Sequence, residues 1–188
     1  MTKENKSLFD LFKEKAEGVS AEVHRFPDEK EALAFIMDFL RTEGIASFDG
    51  PSAVWADCPF LRHLQQEQLA GKIPGLIFDV NRRSAATAKI GITQMEWAIA
   101  DTGTLVQDAT AVEQRLASSL PEIHIALINS ERIVPDLATA LSKVSPAGAA
   151  YLTFITGPSR TADIERVLTI GVHGPERLII VFVDQLEE

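Results

Sequence analysis

Cysteine is almost absent: Cys58 is the one thiol in 188 residues. A single thiol forms no intrachain disulfide, and it cannot assemble an iron–sulfur cluster or a structural zinc site by itself. Basic residues are outnumbered, with 18 Lys and Arg against 27 Asp and Glu, for a formal net charge of -9. That balance argues against a nucleic-acid backbone or an anionic membrane as the main partner. No apolar run reaches bilayer length, and the start Met1-Thr-Lys-Glu-Asn-Lys6 lacks the apolar core of a signal peptide. A cytoplasmic location is the expectation. Familiar signatures are missing too: no Gly-x-Gly-x-x-Gly, Walker, Gly-x-Ser-x-Gly or His-Glu-x-x-His pattern occurs. The four histidines, His24, His63, His124 and His173, lack ligand spacing, so no metal is expected.

What is present is a soluble globular composition, 46% apolar and 24% charged, at a length that suits one domain over residues 1–188. Helix and strand signals alternate. Ser7 and Asp10 have cap spacing ahead of Leu8, Leu11, Phe12 and Ala16, and Gly18 closes that helix. A strand is predicted over 19–26. A second helix opens at Asp28 with Glu31 and carries Leu33, Ile36, Met37 and Leu40 on one face. Strands follow over 53–56 and 76–80, with a helix over 60–70 between them. The stretch 91–107 reads as a turn with a short helix, then a strand pair around Asp101 to Thr104. Further strands are predicted over 123–128, 151–155 and 178–183, and helices from Pro135 to Val144 and from about Thr161 to Leu168. The later strands are continuous apolar runs, which is the pattern of a sheet buried on both faces. The fold class is therefore α/β, three-layer, with a mainly parallel sheet. Ligands in such folds collect at the carboxyl ends of strands.

Two segments carry the candidate chemistry. In Gly157-Pro158-Ser159-Arg160-Thr161, a strand is expected to turn into a helix whose first N–H groups and dipole favour an anion. Ser159 and Thr161 add hydroxyls, and Arg160 adds a planar cation that capping alone does not require. In Asp101-Thr102-Gly103-Thr104, Gly103 lets backbone approach a ligand, between two hydroxyls and a carboxylate. A plain turn or helix cap would use many of the same residues. Asp101 and Glu96 are candidate catalytic carboxylates, and His173, beside Gly174, is a candidate proton carrier. A carboxylate or phosphate is the expected ligand.

Three blocks taken together resemble the lactate-utilisation (LUD) domain family, in particular its LutC/YkgG-like members. They are Gly91-Ile-Thr with Ala98-Ile-Ala-Asp-Thr-Gly-Thr-Leu-Val106, then Arg115 with Ser119-Leu-Pro and His124-Ile-Ala, then Ile155-Thr-Gly-Pro-Ser-Arg-Thr-Ala-Asp-Ile-Glu165 with Gly171-Val-His-Gly-Pro175. The match is best over residues 76–184, and residues 1–60 form an extension of helix and strand. Asp101 stands where the family usually has Glu, which keeps the carboxylate but shortens its reach. The resemblance implies a fold similar to the NagB/RpiA/CoA transferase-like group. It also implies a role beside iron–sulfur proteins that oxidise L-lactate to pyruvate, with the clusters on those partners. The alternative is a stand-alone enzyme acting on a sugar phosphate or an acyl-CoA.

Overall fold

The structure, a computed structural model, describes residues 7–47, 49–144, 151–162, 168–170 and 174–186. In chain order the elements are α1 (Leu8–Gly18), β1 (Glu22–Asp28), α2 (Glu29–Thr42), β2 (Ser52–Trp55), α3 (Gln66–Lys72), β3 (Leu76–Ile77), α4 (Arg82–Thr87), β4 (Ala88–Gln94), β5 (Trp97–Ile99), β6 (Thr104–Asp108), α5 (Val112–Ser119), β7 (Ile123–Asn129), β8 (Ile133–Val134), α6 (Leu137–Lys143), β9 (Leu152–Ile155), β10 (Arg160–Ala162), β11 (Leu168–Ile170) and β12 (Arg177–Gln185). Short 3-10 turns occupy Pro59–Leu61 and Ser130–Arg132. Among the described residues no helix is long and apolar enough to cross a membrane.

Six strands form one parallel sheet in the order β1-β12-β7-β4-β2-β3. Its central strands β7 and β12 are buried on both sides, as their largely apolar runs require. On one face lie Ala32, Ile36, Met37 and Leu40 of α2 with Leu69 of α3, packed against Ile125, Leu127, Ile179 and Val181. On the other face lie Phe12 and Ala16 of α1, together with Ala98 and Leu105 of the second sheet. Both early helices begin as their sequences predict: Ser7 Oγ accepts from the Asp10 N–H, and Asp28 accepts from the Glu31 N–H.

Three departures from the sequence expectation concern strands. Residues 88–94 form β4 rather than a turn and short helix, because Ile90 and Ile92 bury against the sheet between β2 and β7. The strand at 151–155 leaves the main sheet. As β9 it pairs antiparallel with β6 in a four-stranded sheet ordered β8-β5-β6-β9. The helix expected from Thr161 to Leu168 is replaced at both ends by strand, since β10 and β11 pair antiparallel with Arg160 opposite Ile170 and Ala162 opposite Leu168. Asp163 and Glu165 lie outside the described residues. A few residues of local pattern fit a helix or a strand equally well, and here pairing with a distant segment decides.

Candidate functional site

The two candidate loops meet, and α1 is what they meet on. Thr104 Oγ1 and Thr156 Oγ1 lie 2.8 Å apart in a hydrogen bond across the β6–β9 pair. Gly103 has φ +66°, and a Cβ there would overlap the Lys15–Ala16 backbone of α1. Gly157 has φ +71°, and a Cβ there would lie 2.6 Å from the Val19 carbonyl oxygen just beyond α1. Each position therefore demands glycine on two counts, the left-handed backbone and the close approach. The surface approached is the backbone of α1 and of the residue that follows it.

Arg160 follows the same logic. Its exposed guanidinium donates to the Val19 carbonyl (2.7 Å) and to Ser20 Oγ (3.3 Å). A cation at the carboxyl end of a helix satisfies an open carbonyl and complements the dipole. We expect Arg160→Ala to lower stability by about 1 kcal/mol through loss of this bond. Chemical denaturation checks it; an unchanged midpoint would mean the contact contributes nothing.

The remaining sequence candidates fall in three different places. Thr102 and Thr104 line an open apolar groove of about 370 Å³ with Ile99, Leu137, Leu141 and Phe154. Asp101 is exposed, and its N–H donates to the Pro135 carbonyl at 3.1 Å. Gly157, Ser159 and Gly174 line a cavity of about 270 Å³ at the amino ends of β7 and β12, with Ser118, Ser119 and His124. Gly174 leaves room for the Ser159 hydroxyl, since a Cβ on it would sit 3.0 Å from that oxygen. Pro158 is buried beside this cavity's wall residues in sequence, and Thr161 is paired in β10. His173 lies outside the described residues.

Glu96 lines a third space, a polar cleft of about 150 Å³ at the carboxyl ends of β2, β4 and β6. Asp57, Cys58 and Arg62 come from the segment after β2, and Gln94 and Glu96 from the end of β4. Asp108 closes β6, Gln114 stands on α5, and Arg132 follows β7. Gln94 Oε1 accepts from the Phe60 N–H at 3.0 Å, and Gln114 Nε2 donates to the Asp57 carbonyl at 2.7 Å. Arg132 stacks 4.9 Å from the Trp97 ring centroid. Two guanidiniums and three carboxylates thus face one small volume, at the end of a parallel sheet where α/β folds hold ligands. Cys58 adds no nucleophile: it is 5% exposed, and burial pushes its thiol up to about 11. The cleft arises from separated segments, and of its residues the sequence pattern singled out Glu96 alone. A strand-end rule applied to β2 and β4 would have found Arg62 and Gln94.

His124 is the other residue that sequence reasoning passed over as a site. It is 1% exposed in the middle of Ile123-His-Ile-Ala126, and desolvation pushes its pKa down to about 3. Its Nε2 lies 2.8 Å from Thr93 Oγ1, while Nδ1 is buried with no hydrogen-bond partner among the described residues. The signal was available: one polar residue inside an otherwise apolar buried strand.

Residues 9–183 match the family described as the LUD domain. Curated relatives include "Lactate utilization protein C" of Exiguobacterium sp., 38% identical over 117 residues, which are 57% of this chain and 50% of that protein. The protein of the same name from Bacillus velezensis is 33% identical over 167 residues, 80% of this chain and 69% of the relative. That of Bacillus subtilis is 36% identical over 109 residues, 55% of this chain and 45% of the relative. The matched stretch spans about half the length of the Exiguobacterium and Bacillus subtilis proteins. A crystal structure of a DUF162 family protein from Deinococcus radiodurans superposes with a TM-score of 0.63, covering 94% of this chain and 96% of that one at 19% identity. That likeness concerns the fold.

Proposed function

This chain belongs to the LUD domain family, and from that membership we propose that it works in lactate utilisation, holding a small organic acid in the carboxyl-end cleft. The observation that carries the role is the shared name of its relatives, "Lactate utilization protein C". The cleft suits the chemistry. Arg62 and Arg132 offer planar donors to a carboxylate or phosphate end. Glu96, Asp57 and Asp108 offer acceptors to a hydroxyl on the neighbouring carbon. A volume of about 150 Å³ favours a three-carbon acid over a large acyl carrier.

Oxidation of lactate to pyruvate releases two electrons and two protons. In this proposal the electrons pass to clusters on iron–sulfur partner proteins, and this chain is a cytoplasmic, non-redox component that binds the acid. The buried, high-pKa thiol of Cys58 is in keeping with clusters being held elsewhere.

Thermal shift and calorimetry with L-lactate, pyruvate and inorganic phosphate test the ligand. A ligand at a hundredfold excess over its Kd should stabilise the fold by about 2.7 kcal/mol. Arg62→Ala should weaken that binding about tenfold, the scale of one charge-assisted contact. If none of the three raises the melting temperature, the acid-binding reading is wrong. Affinity capture from cells growing on lactate tests the partners: recovery of no iron–sulfur protein removes that part.

A further inference from the structure

One amide of the polar cleft is oriented by the fold. The 3-10 turn Pro59–Leu61 has no side-chain cap at its start, so its early N–H groups need acceptors from elsewhere. Gln94, which ends β4, supplies one: its Oε1 accepts from the Phe60 N–H at 3.0 Å, and Phe60 is fully buried. The flipped amide would set an NH2 donor against that N–H donor and leave both unsatisfied. The oxygen of Gln94 is therefore fixed on the turn, and the NH2 group occupies the other branch of the amide.

Gln94 Nε2 makes no hydrogen bond among the described residues. The buried side-chain polar atoms that lack a partner there belong to Trp55, Gln107, His124 and Ser130. Gln94 Nε2 is not one of them, and the residue is half-buried, so this atom keeps accessible surface. Gln94 lines the cleft together with Arg62, Glu96 and Arg132. The fold thus presents to the cleft a neutral donor whose own oxygen is already engaged.

We infer that Gln94 is a specificity-determining residue of this cleft: Nε2–H donates to the oxygen on the carbon next to the carboxylate, which restricts the ligand to 2-hydroxy and 2-oxo acids. The inference rests on the organic-acid reading of the cleft. Charge divides the contacts. The guanidiniums of Arg62 and Arg132 match the carboxylate end better than a neutral amide does. The neutral donor is left for the neutral oxygen one carbon away. A hydroxyl and a carbonyl oxygen both accept, so the same contact serves lactate and pyruvate. Propionate lacks that oxygen; it displaces water from Nε2 and returns no acceptor.

Calorimetry on the full chain compares L-lactate, pyruvate and propionate, acids of equal chain length and charge. The expected result is that lactate and pyruvate each bind about tenfold more tightly than propionate. Gln94→Glu is the informative variant. It is nearly isosteric and keeps an acceptor for the Phe60 N–H, while the NH2 donor is gone. Its added charge weakens all three acids, so the ratio of affinities is the readout, and that ratio should fall to about one. If the variant fails to fold, side-chain amide spectra of the 15N-glutamine-labelled parent decide: lactate and pyruvate should shift the Gln94 NH2 pair saturably, and propionate should leave it still. If lactate and pyruvate bind but propionate binds as tightly, or if the ratio survives in Gln94→Glu, Gln94 has no part in specificity while the organic-acid reading stands. If none of the three acids binds, that reading fails and this inference falls with it.

Discussion

Replacing Gly91 with alanine should cost the fold about 3 kcal/mol or more, read as a collapse of the denaturation midpoint or as failure to fold. Gly91 sits in β4, between His124 of β7 and Val54 of β2. A Cβ added there would fall inside the Ala117 carbonyl oxygen of α5 and lie 2.9 Å from the Pro121 ring. The obstruction is helix backbone, which no rotamer change can move. Either α5 lifts off the sheet, opening the contact of Ala117 with Val54 and Ala85, or β4 bends out of register. Gly71→Ala is the matching control. It lies in α3, with nothing within 4 Å of the new methyl, and should gain about 0.5–1 kcal/mol from helix propensity alone. Opposite signs at two glycines would establish that packing against α5, and not glycine content, sets the penalty. Equal, small effects would mean that α5 does not press on β4 as described.

Acid should destabilise this protein well before its carboxylates protonate. His124 stays neutral in the fold down to about pH 3, because burial disfavours its charged form. In the unfolded chain the same imidazole takes up a proton near pH 6.5. Between those values the unfolded state binds a proton that the folded state refuses, so stability is full above pH 6.5 and falls as pH drops. The linkage amounts to about 2 kcal/mol on going from pH 7 to pH 5, and on the order of 4 kcal/mol by pH 3. Burial lowers the pKa of His24 as well, with the same sign and a smaller part. Glu43, held below the usual carboxylate range by its hydrogen bond from Lys89, adds its own loss only at lower pH. Urea unfolding at pH 7 and pH 5 measures the effect. In His124→Gln, which does not titrate, most of the difference between the two pH values should vanish. A variant that loses as much as the parent would acquit His124 and point to another group.

The glycines show how far sequence reading carries. Asp101-Thr102-Gly103-Thr104 and Gly157-Pro158 announce, by composition, that some backbone must come unusually close. That inference describes the geometry correctly, for both glycines have positive φ and both are in contact with neighbouring backbone. What a glycine cannot announce is the identity of the neighbour. A ligand and a helix demand the same missing Cβ, and here α1 and the residue after it fill the space. Arg160 is similar: its charge beside a turn suits an anion, and it equally suits the open Val19 carbonyl at the end of α1.

Local features were therefore legible from the chain alone. The caps at Ser7 and Asp28, the apolar face of α2, the largely apolar strands β7 and β12, and so the α/β class, all follow from interactions within a few residues or from burial on both faces. Tertiary structure alone decided that β9 joins β6 instead of the main sheet, that β10 finds β11, and that Arg62, Glu96 and Arg132 share one cleft. Those outcomes depend on which distant segments satisfy each other's backbone groups and apolar faces, a choice among whole-chain arrangements that short windows of sequence do not encode.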